Sequence, residues 1–377
     1  MQKLNIDQEY TQNMLLRLLQ EPSPSGYTDR AVHLVCDELE ALDVPYELTR
    51  RGAIRATLAG RENSPDRAVV AHIDTLGAMI KSLKPNGRCE VVPIGHWNAR
   101  FAEGARCTLF TDTGSHRATI LPLKASGHTF GPEIDKQPSG WQHVELRIDI
   151  DAWGVDDLVA HGIHVGDIVA VDPRTEIEPN GYINSRHLDD KAGAAVLLGA
   201  IKAVVEAEIE LPMDCHPLFT ISEEVGSGAS AVLHQDVSEM LTIDNGTTAP
   251  GQNSREHGVT ICMADQSGPF DYHLTRRIIG LCQEFGIPHQ RDVFRYYRSD
   301  SAAAVEAGND LRTSLVTFGI DASHGWERIH WNALQSLGEL VAVYMQMPPT
   351  QQRDRHDMGT RAGFPNVPGW PLRKVGA

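Results

Sequence analysis

Thr220-Ile-Ser-Glu-Glu-Val-Gly-Ser-Gly228 closes a short apolar run, Leu218, Phe219 and Ile221, with two adjacent carboxylates followed by glycines. The pattern reads as a buried strand that delivers Glu223 and Glu224 to its end, where a glycine-rich loop begins. In mid-strand, neighbouring side chains point to opposite faces. At a strand end the backbone turns, and both acids can face one cavity. Two acids side by side in a dry site raise one another's pKa. A metal on one and a proton-transfer task for the other would account for the pair.

The same grammar recurs outward along the chain. Ala68-Val-Val-Ala71 is a short apolar strand that ends in His72-Ile-Asp74, and Met240-Leu-Thr-Ile243 is another that ends at Asp244. Residues 45–60 read as a strand pair and Ser314–Phe318 as a further strand. Apolar spacing predicts helices over residues 5–20, from a Thr28 cap to about Leu42, over Lys191–Ile201, from Ala229 to about Glu239, over 271–285 and from Trp331 to about Met345. Strands alternating with helices imply an α/β fold with a mostly parallel sheet flanked by helices. Between residues 81 and 173 the character changes to short alternating runs separated by Gly, Pro and Asn, such as Arg106–Phe110 and Val144–Ile150. This segment reads as an inserted small β-barrel. The expected organisation is one domain from 1–80 plus 174–347, the barrel at 81–173, and an extended or disordered tail at 348–377.

Composition narrows the function. The chain has 377 residues, is 41% apolar and carries a formal net charge of -16. That charge argues against nucleic-acid binding and against an anionic membrane surface. No apolar run is long enough to span a bilayer, and residues 1–9 lack a signal-peptide core. Six scattered cysteines form no Cys-x-x-Cys pair. They read as small buried hydrophobes in a reducing compartment, and the expectation is a cytoplasmic protein.

Five candidate metal ligands fall at strand ends or in loops: His72, Asp189, Glu224, Asp244 and His324. Open α/β sheets place ligand sites at the carboxyl ends of their strands, and a mixed His and carboxylate set suits zinc, manganese or cobalt. Each residue has a plain structural reading as well. His72 is by itself an ordinary core histidine, Asp189 a helix N-terminal acid, Asp244 a turn residue and His324 a loop residue. Asp74, two residues beyond His72, lies on the same side of the chain and can accept the ring N–H of a metal-binding histidine. The combination outweighs the single readings.

Ala71-His-Ile-Asp74, Leu188-Asp-Asp-Lys191, Ser222-Glu-Glu-Val-Gly226, Ile243-Asp244 and Ser323-His324 together resemble the two-metal aminopeptidases of the tetrahedral, glutamyl aminopeptidase type, over roughly residues 10–345. The resemblance implies a zinc-exopeptidase-like domain and two divalent metal ions, zinc foremost, with cobalt or manganese as the other candidates. It implies that His72 holds one metal and His324 the other, that Asp189 bridges them, and that Glu224 and Asp244 each add a ligand. Glu223 would be the general base toward a metal-bridging water, Asp74 would orient His72, and Asp300 would lie near the substrate amine. It further implies a homo-oligomer, up to a dodecamer, assembled through the barrel, and a peptide or dipeptide-like substrate. Some features depart from the family pattern: Thr75 after the His-x-Asp, Gly325-Trp326-Glu327 after the last histidine, and the tail. These resemble a bacterial branch linked to the osmoprotectant N-acetylglutaminylglutamine amide.

The expected activity is therefore removal of N-terminal residues from peptides. The alternative is a related amidase or deacylase acting on an N-acylated or amidated dipeptide. A glycosidase fits poorly, because its two carboxylates need about 5–9.5 Å between them, and no Gly-x-Ser-x-Gly elbow points to a serine hydrolase. A catalytically dead assembly subunit is disfavoured by the intact ligand set. Trp97, Phe101 and Trp141 read as barrel core or as contact residues, and Trp153 as packing at the barrel junction.

Overall fold

The computed structural model describes residues 1–234, 236–356 and 358–368. Among them, the main sheet has twelve strands. Its path runs Tyr46–Leu48, Ile54–Ala56, Cys215–Thr220, Asp66–His72, Val237–Thr248, Arg312–Asp321, Glu327–His330, Tyr182–Ser185 and Glu176–Ile177, with Val259–Asp265 branching from Arg312–Asp321. The four central strands, from Cys215–Thr220 to Arg312–Asp321, are parallel to their neighbours, whereas the flanks pair antiparallel. The sheet is thus mixed, parallel at its centre and again where Val259–Asp265 pairs with His289–Val293, where the expectation was a mostly parallel one. Returns such as Tyr46–Leu48 to Ile54–Ala56 are too short for a crossover helix and force hairpin geometry.

The central strands are buried on both faces; every residue of Asp66–His72 is buried. The helix Leu188–Glu206 is itself buried along most of its length and packs on the sheet and on the helices Gln8–Gln20 and Trp331–Met345. Lys191, in its first turn, is fully buried and donates to the carbonyls of Leu18 (2.8 Å) and Glu21 (2.6 Å), closing the C-terminus of the first helix. Residues Ala229–Glu239, expected to be helical, form only a short 3-10 turn at Ala229–Ala231 before the strand starting at Val237.

Six strands, Gly77–Leu83, Cys89–Ile94, Val144–Ile148, Gly114–Pro122, Arg106–Thr111 and Ile168–Val171, close a barrel. Its interior is filled by Ile80, Val91, Leu109, Ile120, Leu146 and Val169. Trp97 is buried against the barrel core and Trp141 packs edge-on to it at 4.9 Å, while Phe101 is exposed. Trp153 packs no junction; it is 83% exposed. All six cysteines are buried and free.

Candidate active site

His72 ends its strand, paired with Thr220 of the neighbouring parallel strand. That neighbour stops at Thr220, and residues 223–226 form a turn. The two strand ends therefore open at the same edge. In the turn, Glu223 and Glu224 both face the opening but address different histidines. Glu223 Oε2 is 3.7 Å from His72 Nε2, and Glu224 Oε2 is 3.6 Å from His324 Nε2. Asp189 stands between the histidines, with Oδ1 3.2 Å from His72 Nε2 and Oδ2 3.2 Å from His324 Nε2.

Asp244 is not at a strand end. Its strand runs on to Thr248, in register with Arg312–Asp321. Its pairing with the His72 strand, however, ends at Thr242 opposite Val70. Beyond that point the neighbour has turned away, leaving Asp244 free to join His72 and Glu223 in one group of donor atoms. His324 sits in a tight turn between two strands, with a left-handed φ of 61°.

Asp74 lies on the same side of the chain as His72, as its spacing implied: the His72 ring Nδ1 is 3.0 Å from the Asp74 main-chain carbonyl, to which it donates, and 3.6 Å from the Asp74 carboxylate. The carboxylate also accepts from Ser25 Oγ and from the Glu223 and Glu224 amides at 3.1 and 3.3 Å. It therefore braces the two-acid turn. Asp300 is likewise occupied: it accepts from Thr220 Oγ1 and the Ala229 amide, both at 2.6 Å, which pins the other end of the same loop.

Sequence reasoning passed over several site residues. Glu327 accepts from the amides of Leu188 (2.8 Å), Asp189 (3.3 Å) and His324 (3.0 Å), tying two proposed ligands together. Asn245 donates to Asp189 at 2.7 Å and to Asp244 at 3.1 Å. Asp190 accepts from the His72 amide at 3.2 Å. The carbonyl of His96, in the inserted segment, accepts from His324 Nδ1 at 2.8 Å. The available signals were weak: Glu327 follows His324 by three residues, and Asn245 and Asp190 adjoin named ligands.

The donor set fits metal ions. Both histidines donate Nδ1–H to a main-chain carbonyl, so in the neutral ring Nε2 carries a lone pair aimed at carboxylate oxygens. That geometry is repulsive unless a cation or a second ring proton lies between. Burial opposes the charged ring, but the surrounding acids outweigh it and raise both histidines, His324 to about 10, so that without a metal the rings donate to Asp189. Burial, with neighbouring acids adding to it, pushes Glu223 well above the ordinary range and Glu224 and Asp244 up to about 8. Burial also opposes ionisation of Asp189, but hydrogen bonds from His324 and His72 outweigh it and hold that carboxyl low. Glu224 Oε1, Asp190 Oδ1 and Asn245 Oδ1 are buried without a protein partner. Orphaned oxygens beside crowded carboxylates are what a bound divalent pair would satisfy.

A mixed sheet with a His and carboxylate cage at the carboxyl ends of its parallel strands defines the metallohydrolase class. Within that class, the chain belongs to the M42 glutamyl aminopeptidase family, whose pattern matches residues 52–340. It is 36% identical over 339 residues to a Bacillus subtilis protein named "Putative aminopeptidase YhfE", covering 90% of this chain and 98% of that one. The Lactococcus lactis glutamyl aminopeptidase is 32% identical over 46% of this chain and 49% of its own. A TET aminopeptidase from a marine-sediment archaeon of the Thaumarchaeota superposes with a TM-score of 0.82 at 18% identity, covering 92% of this chain and 98% of that one. The Pyrococcus horikoshii TET1 peptidase, described as assembling into a tetrahedron or a large octahedral shell, superposes at 0.78 with 23% identity, covering 89% and 99%.

Proposed function

We propose that this chain is a dinuclear metallo-aminopeptidase that removes N-terminal residues from peptides. The observation that carries the reading is the division of labour in one turn: Glu223 faces His72, Glu224 faces His324, and Asp189 stands between them. His72 and Asp244 would hold one ion, Glu224 and His324 the other, with Asp189 shared. Zinc suits this set, and cobalt and manganese remain eligible. When bound, the ions supply Lewis-acid polarisation of the scissile carbonyl and activation of water.

The chain's own residues do the rest. Glu223 takes the proton of the attacking water and passes it to the leaving amine. Asp74 fixes the turn that presents Glu223 and, through its carbonyl, the His72 ring. Asn245 and Glu327 hold Asp189 from two sides. The crowd of carboxylates gives the cavity a field that favours a substrate's cationic N-terminus.

The test combines metal analysis with a substrate panel of free-amine and N-acetylated dipeptides and amides. The Glu223→Gln enzyme keeps its metal and loses turnover by at least about 10²; near-normal turnover would sink the assignment. Hydrolysis confined to the N-acetylated substrates would replace the aminopeptidase with a deacylase.

The similarity to TET assemblies supports a homo-oligomer, with a dodecamer as the expected particle, to be read by light scattering. Free buried cysteines support a cytoplasmic setting. Among the described residues no helix is long and apolar enough to cross a membrane.

A further inference from the structure

The strands that carry His72 and the two-acid turn hold a second group of donors at their opposite ends. Asp66 begins the His72 strand, and His216 is the second residue of Cys215–Thr220. His234 comes from the loop that leads into Val237–Thr248. His216 Nε2 lies 3.1 Å from Asp66 Oδ2 and 3.0 Å from His234 Nε2, and His234 Nδ1 lies 3.7 Å from Asp66 Oδ2. Asp66 and His216 are buried; His234 is partly exposed. Six residue steps along the strand separate this group from His72, roughly 20 Å at the usual strand rise.

With a neutral His216 the hydrogen-bond inventory of this group does not close with protein atoms alone; either a second ring proton or a cation must sit between His216 Nε2 and Asp66. His216 Nδ1 is 3.2 Å from the Ala56 carbonyl, which only accepts, so Nδ1 carries the proton. Nε2 of the neutral ring then points a lone pair at a carboxylate oxygen and at a second imidazole nitrogen. The opposite tautomer, with Thr57 Oγ1 donating to Nδ1 at 3.2 Å, sets the Nδ1 lone pair against the Ala56 carbonyl instead. Independently, Asp66 Oδ1 is buried with no partner. The pattern repeats that of His72 and His324: Nδ1–H to a main-chain carbonyl and Nε2 toward an acid.

We propose that Asp66, His216 and His234 form a separate structural site for a divalent metal ion, zinc by its donor set. Two imidazoles and a carboxylate are a common zinc set. Asp66 Oδ2 and His234 Nε2 lie 3.1 and 3.0 Å from His216 Nε2, near the roughly 3.3 Å edge of a tetrahedron with bonds of about 2.0–2.1 Å, and each side chain can offer one donor atom to a shared ion. The Ala56 carbonyl fixes the His216 ring as partners of metal-bound histidines do. Burial, followed by the neighbouring His216 and Arg55, lowers the pKa of His234. The positive charge of Arg55 is itself met by Glu47 at 2.6 Å. His234 borders a groove of about 790 Å³ whose wall also includes Ser64, Pro65 and Asp236. The ion would pin the amino ends of three adjacent strands, since Asp66 also pairs with Val237.

Full-length protein loaded with zinc and dialysed is compared with His234→Ala and Asp66→Asn by metal counting and by anomalous diffraction at the zinc edge. The wild type is expected to hold one zinc per subunit more than either variant, with an anomalous peak among the three side chains. His234→Ala, whose histidine is partly exposed, is expected to keep peptidase turnover and the peaks at the catalytic cluster. A wild-type map without a peak at Asp66 under saturating zinc overturns the proposal. So does equal zinc stoichiometry in wild type and His234→Ala.

Discussion

Glu327 shows how much of this site is decided by a residue outside the proposed ligand set. Its two carboxylate oxygens accept amides from both ends of the cluster, at Leu188 and Asp189 on one side and at His324 on the other. Burial, reinforced by the Asp189 charge, raises its carboxyl to about 8. Removing such a support costs about 10–100-fold in metal affinity. Glu327→Ala is expected to show that loss in competition against a chelator, with Glu327→Gln in between; unchanged affinity in Glu327→Ala would refute the role. The strand-end residues His72, Glu223 and Glu224 were legible in the sequence, because a polar residue closing an apolar run breaks surface grammar. Glu327, Asn245 and the bonds of Asp74 to the two-acid turn were not. Their partners lie far away in sequence or on the main chain, and side-chain spacing says nothing of either.

At the scale of elements, the loop from Glu223 to Ala229 is held at both ends by acids, Asp74 at its start and Asp300 at its finish. A Cβ at Gly228 would lie 2.0 Å from Asp300 Oδ1, so a larger residue there would push the carboxylate off its bonds to Thr220 and Ala229. Asp300→Asn keeps the size but weakens the bond to the Ala229 amide. A hydrogen bond to a charged group is worth about 1.5–3 kcal/mol, so the Ala229 amide is expected to exchange its hydrogen correspondingly faster; unaltered exchange would show that the loop does not depend on Asp300. The misread helix has a different cause. Ala229–Glu239 has helical spacing, but by Val237 the chain is already pairing beside Asp66, which leaves room only for the short 3-10 turn at Ala229–Ala231. Tertiary partners overrode local preference. The long helices fared better because their periodicity extends over several turns: Trp331–Met345 matches its expected span.

For the whole molecule, the proposed metal cluster crowds carboxyl groups into a buried site, so ions bound there would also be folding ligands. A ligand at 100 times its Kd stabilises a fold by about 2.7 kcal/mol. Stripping the metal is expected to lower the melting temperature, and restoring zinc to recover it; a melting curve indifferent to chelation would contradict a loaded cluster. The barrel is coupled to this chemistry, since the inserted segment supplies the His96 carbonyl to His324 and the Phe101 carbonyl to Arg186 at 2.7 Å. That insertion was legible from its change in residue rhythm; the contact was not, because a carbonyl has no sequence signature. Beneath the sheet, Arg67 and Glu239 form a fully buried pair, with Nε donating to Oε1 at 2.9 Å. Arg67→Met strands the Glu239 charge and is expected to cost about 3–5 kcal/mol in denaturant unfolding. Arg67→Met with Glu239→Leu should recover much of it, and equal losses in the two would exclude the charge as the cause.

Arg67 also donates to the main-chain oxygens of Tyr344, Met345 and Met347 and reaches Pro348 at 3.4 Å. Every amino acid carries such an oxygen. The hold on the chain's departure from the last helix is therefore written in spacing, while the side chains of Met345 and Met347, both buried, answer to core packing. The loss or gain of one residue would slide the whole row of oxygens past the guanidinium, whereas an apolar swap of similar size would leave the row in place.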